Sequence, residues 1–376
     1  MTYPSGKYEI VVIGLGAVGS ATLYQLSKSG KKILGIDRFE PPHTLGSSHG
    51  ETRITRLAVG EGEDYVALAK RSHEIWRELE LESGAKIMTT TSGILMDSGV
   101  QAWGKHGGEG FWDSTVSFAK NQRISHTSLD AKTLKSRFPA FQLESSGKVY
   151  LEDEAGFLRP ELAIATQLDL ARKNGAEIRV NAAVEELRKE GDSILIRMKD
   201  GEILADRVLL SAGGWVKDFL GKEEKPNFKI CRQILHWLEV DSGFTDWTKY
   251  PVWMWGFGPK AEDFIYGFPS LDGKTVKLAT ESFVEVPHPD FLDRTVTKEE
   301  QEQFWEEKIA GRVCGLRRNF VKSAVCFYTV TADARFVIRR LDEMEHVLMV
   351  SACSGHGFKH SAALGERLAM DLLRDA

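Results

Sequence analysis

The sequence has few cysteines, no long hydrophobic run and no excess of positive charge. Its cysteines, Cys231, Cys314, Cys326 and Cys353, have neither the paired spacing of a disulfide framework nor the spacing of a metal site. We therefore expect a reducing, cytoplasmic location and no bound metal. Residues 1–6 are polar and no apolar run reaches the length of a membrane span, so the sequence predicts neither a signal peptide nor a membrane anchor.

The balance of charge argues against some classes of partner. The formal net charge is −5 at pH 7, which gives no electrostatic reason to expect nucleic acid or an anionic membrane as a partner. Hydrophobic residues make up 42% of the chain and charged residues 27%, as in ordinary globular proteins. The chain has 376 residues and contains no repeat or low-complexity segment. Because this length is too great for one hydrophobic core, we predict two domains.

Residues 8–37 are the most informative part of the chain. Residues 8–13 are a β-branched run typical of a buried parallel strand, and residues 17–28 carry apolar side chains at helical spacing. A second strand is predicted at residues 33–36, directly before Asp37. This strand–helix–strand order is typical of a dinucleotide-binding βαβ unit.

Three glycines join the first strand to the helix with the spacing G-x-G-x-x-G. Gly14 allows the tight turn, Gly16 lets the main chain approach a pyrophosphate, and Gly19 lets the helix pack closely on the strand. Asp37 is expected to accept hydrogen bonds from the ribose hydroxyls of an ADP group, which favours FAD or NAD over a 2′-phosphorylated cofactor. The alternative is a βαβ unit without a ligand, which the complete order of strand, glycines, helix, strand and acid disfavours.

Segments of the nucleotide-binding type return in the middle and at the end of the chain. A helix at residues 160–174 precedes a strand at 177–180, and residues 347–373 are expected to form a strand, a glycine loop and a helix. Residues 230–325 are instead β-rich and antiparallel in character. Because an NAD-dependent dehydrogenase usually keeps its dinucleotide half contiguous, this interleaving favours a flavoprotein.

We therefore predict an α/β (α+β) protein in which a Rossmann-like FAD-binding domain is interleaved with a mixed, largely antiparallel β-sheet substrate domain. The FAD-binding domain is predicted to comprise residues 1–85, 155–220 and 325–376. The substrate domain is predicted to comprise residues 86–154 and 221–324. One helix is expected in the substrate domain, near residues 298–313.

Uncommon motifs follow one another along nearly the whole chain. After the glycine fingerprint they are FEPPHTLGSSHGETRITR, YVALAKRSHEIWRELE, EAGFLRPELAI, LLSAGGWVKDFL, YGFPS, SAVCFYTVTADARFVI and SGHGFKHSAALGE. In this order and spacing they resemble the monomeric sarcosine oxidase and N-methyltryptophan oxidase family of amine oxidases. The resemblance implies a monomeric FAD enzyme that oxidises secondary amines, chiefly N-methyl amino acids, to imines. The imine then yields an aldehyde and an amino acid, and O₂ is reduced to hydrogen peroxide.

The resemblance implies that three basic residues act at the substrate and the flavin. In the family, the position of Arg56 binds the substrate carboxylate, that of Lys359 supplies a second cation for it, and that of Arg53 lies against the flavin ring. A guanidinium suits a carboxylate because its donors match both oxygens. From the residues alone, the two arginines could equally lie on a solvated helix. Lys359 stands at a helix start, where the macrodipole disfavours positive charge.

Four further residues are implied to lie at the flavin. The family attaches FAD through a thioether at the position of Cys326 and lines the cavity at the positions of Tyr266 and Tyr328. It uses the position of Lys277 to hold a water and promote oxygen reduction, for which an ammonium is suited because superoxide and peroxide are anions. From the residues alone, Cys326 is typical of a packed cysteine and Lys277 of a solvent-facing lysine on a strand.

Glu281 departs from the family pattern. Sarcosine and N-methyltryptophan oxidases have histidine four residues after the lysine, whereas the more distant fructosyl-amino-acid oxidases have glutamate there. A carboxylate in the cavity would favour a cationic amine or accept hydrogen bonds from a polyol, so an oxidase of fructosyl amino acids (Amadori products) is the alternative function. The other interpretation is a surface glutamate at a strand end.

The resemblance also implies a wider set of FAD contacts, with His356 and Gly357 near the pyrimidine edge of the flavin. The remaining implied contacts are Gly14, Gly16, Ala17, Val18, Gly19, Asp37, Arg38, Ser47, His49, Thr52, Arg53, Val184, Ala212, Gly213, Trp215, Gly355, Phe358 and Lys359. The implied partners are a small secondary amine and O₂. Two rival functions stay open on the sequence: an NAD-linked dehydrogenase, and a flavin-containing protein without turnover.

Overall fold

The computed structural model of the chain describes residues 6–99 and 110–374. Within these ranges the α-helices are α1 Ala17–Ser27, α2 Asp64–Ser83, α3 Phe111–Asn121, α4 Ala131–Arg137, α5 Pro160–Lys173, α6 Lys298–Phe304 and α7 Ser361–Arg374. The strands are β1 Lys7–Ile13, β2 Ile33–Ile36, β3 Arg53–Thr55, β4 Met88–Thr90, β5 Gly93–Asp97, β6 His126–Leu129, β7 Lys148–Glu152, β8 Gly156–Leu158, β9 Glu177–Arg179, β10 Val184–Glu190, β11 Ser193–Met198, β12 Gly201–Leu210, β13 Lys229–Val240, β14 Val252–Gly256, β15 Phe264–Gly267, β16 Thr275–Ala279, β17 Glu285–Val286, β18 Leu316–Val330, β19 Val337–Leu341 and β20 Met344–Ser351. Of the helices in the described ranges, none is long and apolar enough to cross a membrane.

An eight-stranded sheet forms around the strand–helix–strand unit β1-α1-β2. The prediction of this unit is confirmed. Its order is β10-β11-β12-β1-β2-β9, with β20 added to β12 and β19 to β20. Strands β9, β2, β1, β12 and β20 run parallel, as expected for buried strands covered by helices. On one face, Ile10 and Val12 pack with side chains of α1, α5 and α7. On the other face, Val11 and Ile13 pack with side chains of β11.

A nine-stranded sheet is built from two other parts of the chain. Its order is β17-β13-β16-β15-β14-β5-β7-β6, with β18 added to β13. Neighbouring strands are antiparallel, except that β5 and β14 are parallel. The sheet is therefore mixed and largely antiparallel, as predicted. The predicted domain limit at residue 325 falls inside β18, which pairs with β13 as far as Val330, so residues 325–330 lie in this sheet.

A small three-stranded sheet, in the order β3-β8-β4, carries the segment with the two predicted arginines. Arg53 pairs with Leu158 across β3 and β8. Arg53 thus lies in a short strand and not on a solvated helix, and Arg56 follows directly after that strand. The paired backbone fixes the direction of the Arg53 side chain and the start of the segment that carries Arg56.

Three helical features differ from the sequence-based expectation. The first part of the predicted substrate domain, residues 86–154, for which no helix was expected, contains α3 and α4. Both helices are short, so their apolar spacing gives little signal. The helix expected near residues 298–313 is α6, which ends at Phe304 and continues as a π-helical turn over Trp305–Ile309. This turn buries Lys308, whose ammonium donates to the carbonyl of Glu262 at 2.7 Å.

Helices α1 and α7 approach each other closely at Gly365. A Cβ atom added at this glycine would lie 2.5 Å from Cβ of Ala21 and 2.7–2.8 Å from backbone atoms of Ala21 and Thr22. Contacts of this kind cannot be relieved by rotating a side chain. The packing of the last helix on the dinucleotide unit therefore depends on the absence of a side chain at this position.

We expect Gly365→Ala to lower the free energy of unfolding by about 1–3 kcal/mol in net. Alanine gains about 1 kcal/mol of helix propensity over glycine, but the overlap with the α1 backbone outweighs this gain. Equilibrium unfolding in urea measures the change. Gly221→Ala is the matched control, because its Cβ would have its nearest neighbour at 3.8 Å. A Gly365 variant as stable as the unchanged protein would contradict the close α1–α7 packing.

Candidate active site

A cavity of about 530 Å³ lies between the two large sheets. The carboxyl ends of β1 and β2 contribute to its lining on one side, and β14, β15 and the end of β18 contribute on the other. In an open parallel sheet, ligands bind at the carboxyl ends of the strands. The cavity is therefore where the sequence predicts the cofactor.

Most of the predicted site residues line this cavity. Those that do are Gly14, Gly16, Ala17, Val18, Asp37, Arg38, Ser47, Arg53, Arg56, Val184, Ala212, Gly213, Trp215, Tyr266, Glu281, Tyr328, Gly355, His356, Gly357, Phe358 and Lys359. Among the described residues, the predicted ones that lie behind the lining are Gly19, His49, Thr52, Lys277 and Cys326. The fold thus brings together residues from the beginning, middle and end of the chain.

The glycine turn forms a cradle at the start of α1. Gly14 has φ +87°, and a Cβ atom there would lie 2.5 Å from the carbonyl oxygen of Ser211. At Gly19 the added atom would lie 1.8 Å from the carbonyl oxygen of Gly14, so only glycine permits this close packing. At Gly16 it would meet nothing within 4 Å, and no side chain caps the helix there. The first amides of α1 are thus accessible from the cavity and suited to a phosphate group.

Asp37 lies at the end of β2 and lines the same cavity. Its carboxylate accepts hydrogen bonds from the amides of Leu15 at 2.7 Å and Phe39 at 2.8 Å. Burial raises the pKa of this carboxyl, while the hydrogen bonds from the two amides favour its charged form. Each oxygen keeps capacity for a further donor. Cradle and acid together fit the ADP half of FAD, with the phosphates on the α1 amides and the ribose hydroxyls on Asp37.

Two cations from distant parts of the chain meet at one buried carboxylate. Arg56 Nη2 lies 2.8 Å from Oε2 of Glu61, and Lys359 Nζ lies 4.0 Å from Oε1 of the same residue. All three side chains are buried, with exposed fractions of 5–7%. Arg56 also donates to the carbonyl of Ala58, and Lys359 to the carbonyl of His356 at 2.9 Å. Both cations therefore face one carboxylate, which Glu61 supplies from within the chain.

A second buried glutamate, Glu152 at the end of β7, fixes the main chain around Arg56. It accepts hydrogen bonds from the amides of Leu57 at 2.6 Å and Ala58 at 3.1 Å, and from the hydroxyl of Tyr150 at 2.9 Å. The nine-stranded sheet thus holds the main chain directly before the Ala58 carbonyl that accepts from Arg56. Sequence reasoning missed both glutamates, and the only signal for Glu61 is an acid five residues after Arg56.

Lys277 is buried, with an exposed fraction of 5%, so the solvent-facing interpretation is wrong. Its ammonium donates to the carbonyls of Gly50 at 2.6 Å and Thr52 at 2.8 Å, and to the Thr52 hydroxyl at 3.1 Å. It also lies 4.6 Å from the centre of the Phe268 ring. Burial, and next the neighbouring Arg53, hold the pKa of Lys277 well below its usual value.

Glu281 is also buried, with an exposed fraction of 2%, so it is not a surface glutamate at a strand end. A Cβ atom at Gly355 would lie 2.9 Å from its Oε1 and 2.8 Å from the Tyr328 ring, which shows how tightly these residues converge. Tyr266 and Tyr328 both line this part of the cavity, and burial raises the pKa of both phenols. Both tyrosines are therefore uncharged at neutral pH.

Cys326 lies on β18, opposite Gln233 of β13, and is 2% exposed. The next two residues, Phe327 and Tyr328, line the cavity. Burial raises the pKa of the thiol, while the charges of Arg53 and Lys277 oppose this increase. The cysteine is thus packed directly behind the lining, next to two cations.

Comparison with known proteins identifies the family. A family model described as DAO, FAD dependent oxidoreductase, matches residues 9–370. The monomeric sarcosine oxidase of Bacillus sp. (strain B-0618) is 35% identical over 373 residues, which covers 97% of this chain and 92% of that protein. The N-methyl-L-tryptophan oxidase of Escherichia coli (strain SMS-3-5 / SECEC) is 32% identical over 374 residues, covering 98% of this chain and 95% of that protein.

A solved structure agrees in fold. NikD, an unusual amino acid oxidase essential for nikkomycin biosynthesis, superposes with a TM-score of 0.85 at 20% sequence identity, covering 99% of this chain and 95% of that chain. The predicted fold class and the predicted FAD cofactor are confirmed, and the alternative of an NAD-linked dehydrogenase is wrong. The chain belongs to the DAO family of FAD-dependent oxidoreductases.

Proposed function

We propose that the protein is an oxidase of secondary amines that takes N-methyl and other N-substituted amino acids. The amine is oxidised to an imine, which water hydrolyses to an aldehyde and an amino acid, and O₂ is reduced to hydrogen peroxide. The relatives named sarcosine oxidase and N-methyl-L-tryptophan oxidase support this reaction. Their identity to this chain extends over nearly its full length.

The observation that carries the proposal is the convergence of Arg56 and Lys359 on the carboxylate of Glu61. A guanidinium and an ammonium beside one buried carboxylate form a ready site for an amino-acid carboxylate. The substrate competes with Glu61 for these cations. Because Glu61 lies beside both cations between turnovers, neither is left as an isolated buried charge, which would be costly.

The chain's own part in the reaction is to hold the substrate and its charges in place. FAD supplies the acceptor for the hydride equivalent that leaves the carbon next to the substrate nitrogen. Arg56 and Lys359 hold the carboxylate end and so align the N–C bond for reaction. Tyr266 and Tyr328 stay protonated because burial raises the pKa of both. They therefore donate hydrogen bonds instead of taking the amine proton, so the amine releases that proton to water and reacts in its neutral form.

Lys277 is the proposed residue for oxygen reduction. Burial favours its neutral form, but three hydrogen bonds from its ammonium group to Gly50 and Thr52 favour the charged form. A charge fixed in advance stabilises the anionic oxygen species that form during reduction of O₂. The carbonyl ligands hold this charge beside the cavity in every turnover.

Covalent attachment of FAD through Cys326 is a further part of the proposal. The thiol lies directly behind the cavity lining, where burial raises its pKa and the charges of Arg53 and Lys277 partly oppose that increase. The thiolate is the nucleophilic form needed for a thioether. The monomeric state and the cytoplasmic location stay predictions from the family resemblance and the cysteine spacing.

A second candidate function, oxidation of fructosyl amino acids, is favoured by Glu281. Its carboxylate is 2% exposed and lines the cavity, where a charged or hydroxyl donor interacts strongly with it because little water competes. A cationic or hydroxyl-bearing substituent on the substrate would be such a donor. The physiological substrate is then bulkier or more polar than sarcosine.

A panel of N-methyl, N-alkyl and fructosyl amino acids, assayed for hydrogen peroxide, tests the function. We expect turnover of several members and rapid bleaching of the yellow protein by them without air. In Arg56→Ala, loss of one partner of a buried charge pair costs about 3–4 kcal/mol, so kcat/KM should fall about 100- to 1,000-fold. Amines without a carboxylate should be hardly affected.

The exposed Arg317, which has a side-chain exposure of 57%, gives the matched control Arg317→Ala. It should leave turnover of every amine unchanged. Equal loss on substrates with and without a carboxylate would make Arg56 a structural residue. A yellow protein that no member of the panel bleaches would favour the interpretation of a flavin-containing protein without turnover.

Covalent attachment is tested by acid precipitation of the purified protein. Yellow colour should stay in the pellet, and Cys326→Ser should release it into the supernatant because serine cannot form the thioether. Cys314→Ser is the control and should retain the colour. Release of all flavin from the unchanged protein would overturn the assignment.

We expect Glu281→Gln to weaken turnover of the bulkier substrate about 10- to 100-fold, as expected when a hydrogen bond to a charged group is lost. Sarcosine, which cannot reach this residue with a polar substituent, should change less than threefold. Steady-state kcat/KM for both substrates measures the contrast, with Glu285→Gln on the exposed β17 as the control. If sarcosine is the best substrate and Glu281→Gln is neutral for every amine, the inference about Glu281 is wrong.

A further inference from the structure

The hydrogen bonds of Lys277 converge on one short segment of the chain. Its Nζ donates to the Gly50 carbonyl at 2.6 Å, to the Thr52 carbonyl at 2.8 Å and to the Thr52 hydroxyl at 3.1 Å. An ammonium has three donors, and these three acceptors match them. The position of the charge is therefore set by the conformation of residues 50–52.

This segment has a backbone conformation that needs support. The φ angle is +95° at Gly50 and +72° at Glu51, and the left-handed region costs a residue other than glycine about 1–2 kcal/mol. The Glu51 side chain is exposed at the surface, where it accepts hydrogen bonds from Trp237 Nε1 at 2.9 Å and Lys322 at 2.8 Å. Because an exposed ion pair contributes little, the main chain must be held from elsewhere.

Glu161, in the first turn of α5, holds that main chain. Its Oε1 accepts hydrogen bonds from the amides of Gly50 at 2.6 Å and Glu51 at 3.1 Å. The Glu51 N–H and the Gly50 carbonyl belong to one planar peptide unit and point in opposite directions. This rigid unit is thus fixed between the Glu161 carboxylate on one side and the Lys277 ammonium on the other.

We infer that Glu161 is a positioning residue that holds Lys277 in place for the oxygen half-reaction. The inference rests on the proposed role of Lys277. An acceptor at the N–H end of a peptide unit and a donor at its carbonyl end polarise the unit in the same sense, so each hydrogen bond strengthens the other. Without the carboxylate, this peptide unit keeps hydrogen bonds only at its carbonyl, from the Thr52 amide at 2.8 Å and from Lys277. Its N–H side is then no longer held, so the unit can tilt and weaken the hydrogen bond from Lys277 to the Gly50 carbonyl.

The inference predicts different effects on the two half-reactions, the reduction of the enzyme by the amine and its reoxidation by O₂. Among the described residues, those that line the cavity do not include Glu161, and its hydrogen bonds reach Gly50 and Glu51 but not Arg56. The carboxylate clamp and the reduction of the enzyme by substrate should therefore be insensitive to it. Only the step that uses the fixed charge of Lys277, reoxidation by O₂, depends on it.

Stopped-flow measurements on the holoenzyme test this separation, with sarcosine or the best amine of the panel as substrate. Glu161→Ala should slow reoxidation at least tenfold and change anaerobic reduction by less than threefold. Both amides bind the same oxygen, Oε1, so Glu161→Gln keeps both hydrogen bonds and should reoxidise within threefold of the unchanged enzyme. Asp169→Ala, on the same helix with a side-chain exposure of 64%, is the control.

Lys277→Met distinguishes failure of this inference from failure of the proposed function. If Lys277→Met slows reoxidation but Glu161→Ala does not, Glu161 does not position the lysine. If Lys277→Met leaves reoxidation unchanged, the proposed role of Lys277 is wrong, and the inference fails with it. If Glu161→Gln is as slow as Glu161→Ala, the carboxylate acts through its charge and not by holding the peptide, which also overturns the inference.

Hydrogen exchange supplies a readout that does not depend on activity. The amides of residues 50 and 51 should exchange faster in Glu161→Ala than in the unchanged protein, and Glu161→Gln should restore their protection. Unchanged exchange in Glu161→Ala would show that another contact holds the segment, against the inference. If Glu161→Ala does not fold, Glu161→Met replaces it, because methionine keeps the length of the side chain and removes both acceptors.

Discussion

The antiparallel alignment of two segments, residues 50–58 and 152–161, is the constraint on which the site depends. Strands β3 and β8 form the middle of this alignment. At each end a glutamate accepts hydrogen bonds from two consecutive amides, Glu161 at the beginning of the first segment and Glu152 near its end. The first segment is therefore held along its length by the second, which itself connects the nine-stranded sheet to helix α5.

Each anchored end of that segment offers a carbonyl to a cation. Arg56 donates to the carbonyl of Ala58 at one end, and Lys277 donates to that of Gly50 at the other. Both cations are nearly excluded from water, which would cost several kcal/mol for a charge without partners. The carbonyls that accept from these cations offset this cost. Because their main chain is already held in place, it does not have to reorganise to do so. The buried charges of the site are thus tolerated because the backbone around them is held by carboxylates.

The parts of this arrangement that could be predicted from the sequence are local or come from the family resemblance. The glycine spacing and Asp37 identify the dinucleotide unit because all of its signals lie within one short stretch. Glu61, Glu152 and Glu161 could not be selected, since the chain has 54 acidic residues and their partners are distant or main-chain amides. The alternation of apolar and polar residues around Lys277 shows which side chains share one face of its strand. It does not show which of the two faces residues 50–52 cover.

The same alignment explains how one segment can serve two chemical tasks without mixing them. Its two ends are held by different glutamates, one from β7 and one from α5, with the paired strand β3 between them. A conformational change at the Glu161 end would therefore have to pass through the hydrogen-bonded strands β3 and β8 before it could affect Arg56. The positions proposed for the substrate carboxylate and for the charge that promotes oxygen reduction are then set independently, although their ligands are close neighbours in the sequence. Such separation suits an oxidase, because its cavity has to accept an organic acid in one half-reaction and O₂ in the other.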